Sequence, residues 1–446
     1  MNSPTNEILP QGYRMTELGP LPEEWEVVQL ENKYIEFQNG LWKGKKEPYI
    51  NVRVLRNTNF NNDGTIDFDD VAELDVEQRN FKNREIIKDD IILERSGGGP
   101  TQPVGRVVFF EKNDQLRYSF SNFTSRIRVI DKLKIFPKYL FFYLLDFYYQ
   151  GKTNDIQNRT TGIRNLDFSK YKQILLPLPP LPEQQKIAAV LSAVQEAKEK
   201  TQAVIDATKA LKKSMMKHLF TYGPVPPEET ENVPLKETEI GKVPEDWEVE
   251  KISNYCELLT GGTPNTKIKE YWEPKEIPWM KSGEIQGNKI VAVNSFISKK
   301  GLENSNARWL PKKSVVIALA GRGKTRGTTA PLEFDCTCNQ SVVCMKPDER
   351  ISYLYLHYFL ANQYSYIRKL TGDKDRSGLN KQIVGNIPIL CPPLPVQQKI
   401  ASILSAIDAK IEAEENKKQA LEELFKTLLH NLMTAKIRVN HLEVKV

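Results

Sequence analysis

One segment of this chain is written twice. LPPLPEQQKIAAVLSAV at 178–194 returns as CPPLPVQQKIASILSAI at 391–407, with 12 of 17 positions identical. A repeat of that length constrains the architecture before any local pattern is read. An earlier segment, TELGPLPEEWEV at 16–27, returns in the same order as TEIGKVPEDWEV at 238–249. The offset is 222 residues between Trp25 and Trp247 but 213 between Gln184 and Gln397. Two whole units are therefore repeated, and the stretches inside them differ in length. Weaker echoes survive there: KDDIILERSGG (88–98) beside KKSVVIALAGR (312–322), and PKYLFFYLL (137–145) beside ISYLYLHYFL (351–360). The scaffold is shared and the detail has diverged, so function is expected in the inserts.

After each proline run comes a segment free of internal proline and glycine, 183–220 and 396–435, as a long helix requires. Apolar residues recur at near-heptad spacing along both. The interface they predict comprises Ile187, Leu191, Val194, Ile205 and Leu211 on the first helix, and Ile400, Leu404, Ile407, Leu421, Phe425 and Leu428 on the second. At 1.5 Å per residue such helices are rods of roughly 60 Å, and packing them as an antiparallel coiled coil buries both stripes within one chain. Between the repeated segments lie short β-branched runs, 91–93, 104–110, 127–130 and 315–319, separated by glycine turns, which read as strands. The predicted fold is thus α+β: two α/β domains separated by two long helices in an antiparallel coiled coil, duplicated about a pseudo-twofold. The boundaries are an N-terminal tail at 1–15, a first domain at 16–178, a helical region at 179–222, a proline-rich acidic linker at 223–237, a second domain at 238–391, a second helical region at 392–436 and a tail at 437–446.

Composition fits a globular chain: 40% hydrophobic and 27% charged residues, with a formal net charge of +6 that accommodates a polyanion partner without requiring one. Five cysteines without a regular framework point to a reducing compartment. The N-terminus lacks a secretory pattern, and YLFFYLLDFYY (139–149) is too short for a membrane span and reads as a buried helix. The expected location is cytoplasmic, with no membrane partner.

Catalytic signatures are weak. ALAGRGKT (318–325) satisfies a relaxed phosphate-loop pattern, but RGTTAPLEF after it is a poor helix opening, and a phosphate loop needs a helix N-terminus there. Cys336, Cys338 and Cys344 lack the paired CxxC spacing of a zinc site. The four histidines form no HExxH pair. Neither a glycine-rich methyl-donor loop nor an Asn-Pro-Pro-Tyr type segment is present. No catalytic set and no metal ligands are expected. Arg322, Lys324 and Arg326 on the glycine-rich loop suit a phosphate backbone or a guanine edge.

With the repeated PPLPxQQKIA segments, the long helices after them, and unlike inserts opened by PEEWEV and PEDWEV, the chain resembles the specificity (S) subunit of type I restriction-modification enzymes over nearly its whole length. The resemblance implies two target-recognition domains, each reading one half-site of a bipartite double-stranded DNA target, and a helical rod that sets the unread spacer. It also implies a non-catalytic chain without a cofactor of its own. S-adenosylmethionine, ATP and Mg belong to partners: two methyltransferase (M) subunits on the rod and, through them, restriction (R) subunits, whose presence the sequence leaves open. The family's late glycine-asparagine segment is matched by Gly162 and Asn165 in TTGIRNL and by Gly378 and Asn380 in DRSGLNK. The DNA-contact candidates are Arg95, Arg106, Arg126, Arg159, Arg164 and Asn165 in the first domain. In the second they are Arg322, Lys324, Arg326, Lys374, Arg376 and Asn380. A solitary DNA-modifying enzyme and a scaffold for protein partners alone are the rival readings.

Overall fold

The computed structural model describes residues 9–41, 46–99, 102–160, 163–287, 289–321, 323–370 and 378–442. The chain forms two compact units: Met1–Thr201 with Lys417–Val446 (unit 1), and Gln202–Asn416 (unit 2). Four helices carry the argument: α1 (Pro137–Tyr149), α2 (Leu181–Tyr222), α3 (Tyr353–Asn362) and α4 (Leu394–Met433). The helices α2 and α4 begin two residues earlier than the proline-free segments suggest. Pro182 and Pro395 sit in the first turn, where a missing N–H leaves no bond unmade.

Each unit contains part of both long helices. In unit 1, Ile187 and Leu191 of α2 and Phe425 and Leu432 of α4 share one core with Trp25, Tyr139 and Phe142. In unit 2, Phe220 of α2 and Ile400 and Leu404 of α4 share one with Trp247, Tyr355 and Phe359. Ion pairs within unit 2 give the direction. Lys209 meets Glu415 at 2.7 Å and Lys212 meets Asp408 at 2.6 Å, so α2 and α4 run antiparallel. Ile205 is buried, Val194, Ile407 and Leu428 pack half-buried on these cores, and Leu421 is half-buried. Leu211 departs from the heptad reading, being 52% exposed. An α-helix turns at 3.6 residues and a heptad seam at 3.5, so a stripe drifts by about 20° per heptad.

Each unit repeats the same sheet topology. Unit 1 has a four-stranded antiparallel sheet in the order Ile35–Asn39, Thr124–Val129, Ile91–Glu94, Val107–Phe109. Unit 2 has Cys256–Thr260, Val342–Pro347, Ser314–Ala318, Thr329–Leu332. Beside the first, Tyr49–Leu55 pairs parallel with Tyr118–Phe120 and antiparallel with Ala72–Glu77. Beside the second, Ile277–Met280 pairs parallel with Thr337–Cys338 and antiparallel with Phe296–Ile297. Strand ends lie within three residues of the β-branched runs seen in the sequence.

The repeated motif is explained by what its first glutamine holds. The buried Gln184 side chain donates to the carbonyls of Lys134 (2.9 Å) and Pro179 (2.8 Å) and accepts from Phe136 N (2.8 Å). Gln397 does the same in unit 2 with Arg350 O (3.0 Å), Pro392 O (2.9 Å) and Ser352 N (2.9 Å). Each glutamine thereby satisfies main-chain groups just before an apolar helix, α1 or α3, which would otherwise be left unpaired on burial. Tyrosines in those helices add the same lock: Tyr139 Oη donates to Pro177 O at 2.7 Å, and Tyr355 Oη to Leu390 O at 3.1 Å.

Candidate nucleic-acid interface

In each unit the last two strands of the four-stranded sheet are joined by a glycine-rich loop, residues 95–106 in unit 1 and 319–328 in unit 2. Two of its glycines are dictated by geometry. Gly105 has φ 109°, and a Cβ there would stand 2.6 Å from Thr153 Cγ2. Gly323 has φ 65°, in the left-handed region that side chains disfavour. Loops of this kind on a rigid sheet are where contact residues are usually carried.

In unit 1 the topology brings four of the sequence-predicted residues to this loop. Ser96–Gly98 is the edge of a small sheet with Ile163–Leu166 and Gln157–Thr160. Arg164 stands opposite Gly98 and Arg159, and Asn165 opposite Ser96, whose Oγ donates to Asn165 Oδ1 at 2.5 Å. Of Arg159 only the strand position is described. Arg95 is half-buried: its Nη1 donates to Asn39 Oδ1 at 2.6 Å, and its guanidinium lies 4.3 Å from the Phe168 ring centre. Burial pulls its pKa down.

Arg106 and Arg126 are turned into the fold instead. Arg106 forms a bidentate pair with Glu94, 2.9 Å from Nε and 2.7 Å from Nη2, and donates to Phe60 O (2.7 Å) and Asn57 O (3.0 Å). The Glu94 side chain is 1% exposed. Burial lowers the Arg106 pKa, and Glu94 more than offsets this, so the net shift is upward. The Arg126 side chain is 3% exposed and donates to Glu85 O (2.8 Å) and Glu36 Oε1 (3.2 Å).

In unit 2, Lys324 is exposed at the loop, whereas Arg326 is buried. The Asn380 side chain caps the helix Lys381–Gly385, accepting from Ile383 N at 2.8 Å. Its counterpart at the 213-residue offset is Asp167, which caps Phe168–Lys172, rather than Asn165. Leu379 N donates to Leu319 O at 3.0 Å, so the segment before that cap does reach the loop. Arg322, Lys374 and Arg376, like Gly162, lie outside the described residues. Sequence reasoning missed Asn39, Phe168, Tyr364 and Arg368, which hold the loops from elsewhere. Their spacing carries no signal until the topology is known.

The chain after Lys324 runs through turns into strand Thr329–Leu332, so no helix begins at that lysine as a phosphate loop requires. Cys336 and Cys344 are buried thiols, each pushed up to about 12 by desolvation. Among the described residues no group of three or more His, Cys, Asp or Glu is placed to hold a metal, and no helix is long and apolar enough to cross a membrane.

Comparison with known proteins adds a family. The specificity subunit of the type I restriction enzyme MjaVIII of Methanocaldococcus jannaschii is 28% identical over 442 residues, spanning 95% of each chain. The type I restriction-modification system S subunit from M. genitalium superposes with a TM-score of 0.57 at 15% identity, covering 92% of this chain and 96% of that one. A chain from a study of complex assembly and conformational transition of the type I R-M system gives 0.56 at 17% identity, covering 94% and 99%. The model of the type I restriction modification DNA specificity domain matches twice, at residues 22–207 and 244–423. These two matches take in most of both units, and the chain belongs to that family.

Proposed function

We propose that this chain is the DNA sequence-specificity subunit of a type I restriction-modification complex. It reads a bipartite duplex target, one half-site per recognition domain, and docks methyltransferase subunits, and through them restriction subunits, along α2 and α4. The observation that supports this most is one sheet topology present twice, each copy carrying a glycine-rich loop at the same place with unlike side chains. A common scaffold fixes how the chain meets the duplex, while differing side chains discriminate bases. The recognition domains are residues 16–178 and 238–391. Their contacts with DNA come from Arg95, Arg159, Arg164 and Asn165, and from Arg322, Lys324, Lys374 and Arg376. Arg106, Arg126, Arg326 and Asn380, buried or engaged within the fold, support those contacts from behind. Methyl transfer and cleavage, with S-adenosylmethionine, ATP and Mg, belong to the partner subunits.

The test is exchange of residues 238–391 for the second domain of another family member, followed by genome-wide mapping of the methylated motif in cells that supply the methyltransferase subunit. One half-site should change while the other stays. A change in both would refute independent reading. An unaltered motif would favour a scaffold that binds protein alone.

A further inference from the structure

The two glycine-rich loops are held in different ways. In unit 1 the loop is part of a ladder, Ser96–Gly98 pairing by main chain with Ile163–Leu166, with side chains assisting: Asn57 Nδ2 donates to Ser96 O at 3.3 Å and Gln157 Nε2 to Val104 O at 3.4 Å. In unit 2 the described loop residues are gripped by two side chains of the helix Tyr364–Lys369. Tyr364 Oη donates to Lys324 O at 2.7 Å, and Arg368 Nη1 donates to Gly323 O at 2.7 Å. The same Nη1 lies 2.9 Å from Tyr364 Oη, and the guanidinium is 5.6 Å from the Tyr364 ring centre. Spacing of four residues puts both side chains on one helix face.

This grip fixes what the loop cannot fix for itself. Gly323 and Gly327, at φ 65° and 83°, leave the backbone the widest conformational choice of any residue. The Lys324 carbonyl takes two donors, Tyr364 Oη and Thr328 Oγ1, each at 2.7 Å, which uses both of its lone pairs. The peptide plane after Lys324 is thus set, and with it the direction in which the exposed Lys324 side chain leaves the main chain. Gly327 is packed by the same helix: a Cβ there would lie 3.4 Å from Ile367 Cγ2 and 3.5 Å from Arg368 Cγ.

We propose that Tyr364 and Arg368 are positioning residues for DNA recognition by the second domain, acting through the Gly323–Lys324 backbone rather than on the bases. The proposal rests on the reading of the loop as a DNA contact. It makes base discrimination at one half-site, and only there, depend on a hydroxyl and a guanidinium outside the loop.

The experiment maps the methylated motif produced on unmodified genomic DNA by full-length variants combined with the cognate methyltransferase subunit. Tyr364→Phe removes one donor and keeps the ring. Arg368→Met removes the other, and Arg368→Lys restores a single donor. Lys324→Ala is the control for the loop itself. The expected result is about a 3- to 10-fold loss of discrimination, the range of one or two hydrogen bonds, at positions of a single half-site. The other half-site and the spacer are unchanged, and Arg368→Lys recovers part of the loss. If Lys324→Ala alters that half-site while Tyr364→Phe and Arg368→Met leave it intact, the positioning role is overturned and the loop reading survives. If Lys324→Ala has no effect, the loop reading fails and takes the proposal with it. Loss of methylation spread evenly over both half-sites would mark a purely structural role and overturn it too.

Discussion

Replacing Arg106 separates a residue that holds the fold from one that reads DNA. Its guanidinium joins the strand Ile91–Glu94, through Glu94, to the carbonyls of Asn57 and Phe60. Arg106→Met keeps the aliphatic bulk and leaves a carboxylate that is 1% exposed without its counter-charge. Breaking a buried pair from one side costs about 3–5 kcal/mol. The upper half of that range is expected, because two carbonyls lose donors as well. Removing both charges is a different perturbation: Arg106→Met with Glu94→Leu should recover at least half of the loss, since an apolar pair of similar size is often near neutral. The assay is urea unfolding followed by circular dichroism. Alongside it, binding to a labelled duplex of random sequence is measured across a salt series at a temperature where the variant is folded. A phosphate contact would lower the salt slope by about 0.9; the slope is expected to stay unchanged. A variant of full stability with a lowered slope would refute the reasoning and make Arg106 a contact residue.

Three further outcomes follow from other parts of the molecule. Gln184→Ala and Gln397→Ala each strand a half-buried main-chain donor and free two carbonyls, so each should cost about 2–4 kcal/mol, measured as a fall in denaturation midpoint; a cost under about 1 kcal/mol would show that water replaces the side chain. Burial holds His357 at about 4, so the unfolded chain binds the proton first as pH drops below about 6.5. This contribution is complete above that pH and falls by roughly 3 kcal/mol towards pH 4, at 1.36 kcal/mol per pKa unit; His357→Gln should flatten that slope. Removing seven residues from each long helix, 203–209 and 413–419, spares the Lys198–Asp63 and Lys289–Glu412 ion pairs and shortens each helix by about 10 Å. The methylated motif should keep both half-sites with a spacer shorter by up to about three base pairs, and a spacer unchanged at full activity would show that the helices do not set it.

The fold was legible where one sequence pattern has one physical solution. The proline runs followed by 40-residue uninterrupted segments could only be long helices, and the repeat at 213 residues required that whatever Gln184 does, Gln397 does too. Three strands of the first four-stranded sheet and one of the second were visible as β-branched runs; the other four and the strand order were not, because strand pairing joins residues as distant as Ile35 and Val129. The arginines were least legible. A sequence records a guanidinium without recording whether a carboxylate waits for it: Arg106 finds Glu94 and Arg126 finds Glu36. The late asparagines are not equivalent, for a related reason. Asn165 and Asn380 look alike in sequence, but counting back from the Gln184 and Gln397 pair puts Asn380 level with Asp167, and both of those are helix caps.

The division between repeated and unrepeated residues therefore follows a physical line. Trp25 and Trp247, Gln184 and Gln397, and Tyr139 and Tyr355 recur because each is buried and holds or packs main chain that both units share. A change at any of them would destabilise a unit without altering what its surface presents. The exposed loop side chains are under no such constraint. Ser96–Gly98 is fixed by strand pairing and Gly323–Lys324 by Tyr364 and Arg368, so the outward side chains of either loop can be exchanged at little cost to the sheet beneath. That separation allows one scaffold, present twice, to carry two different recognition surfaces. It also predicts where variants with altered recognition should arise: on the loops and on the residues that hold them, and not on the motifs by which the duplication is detected.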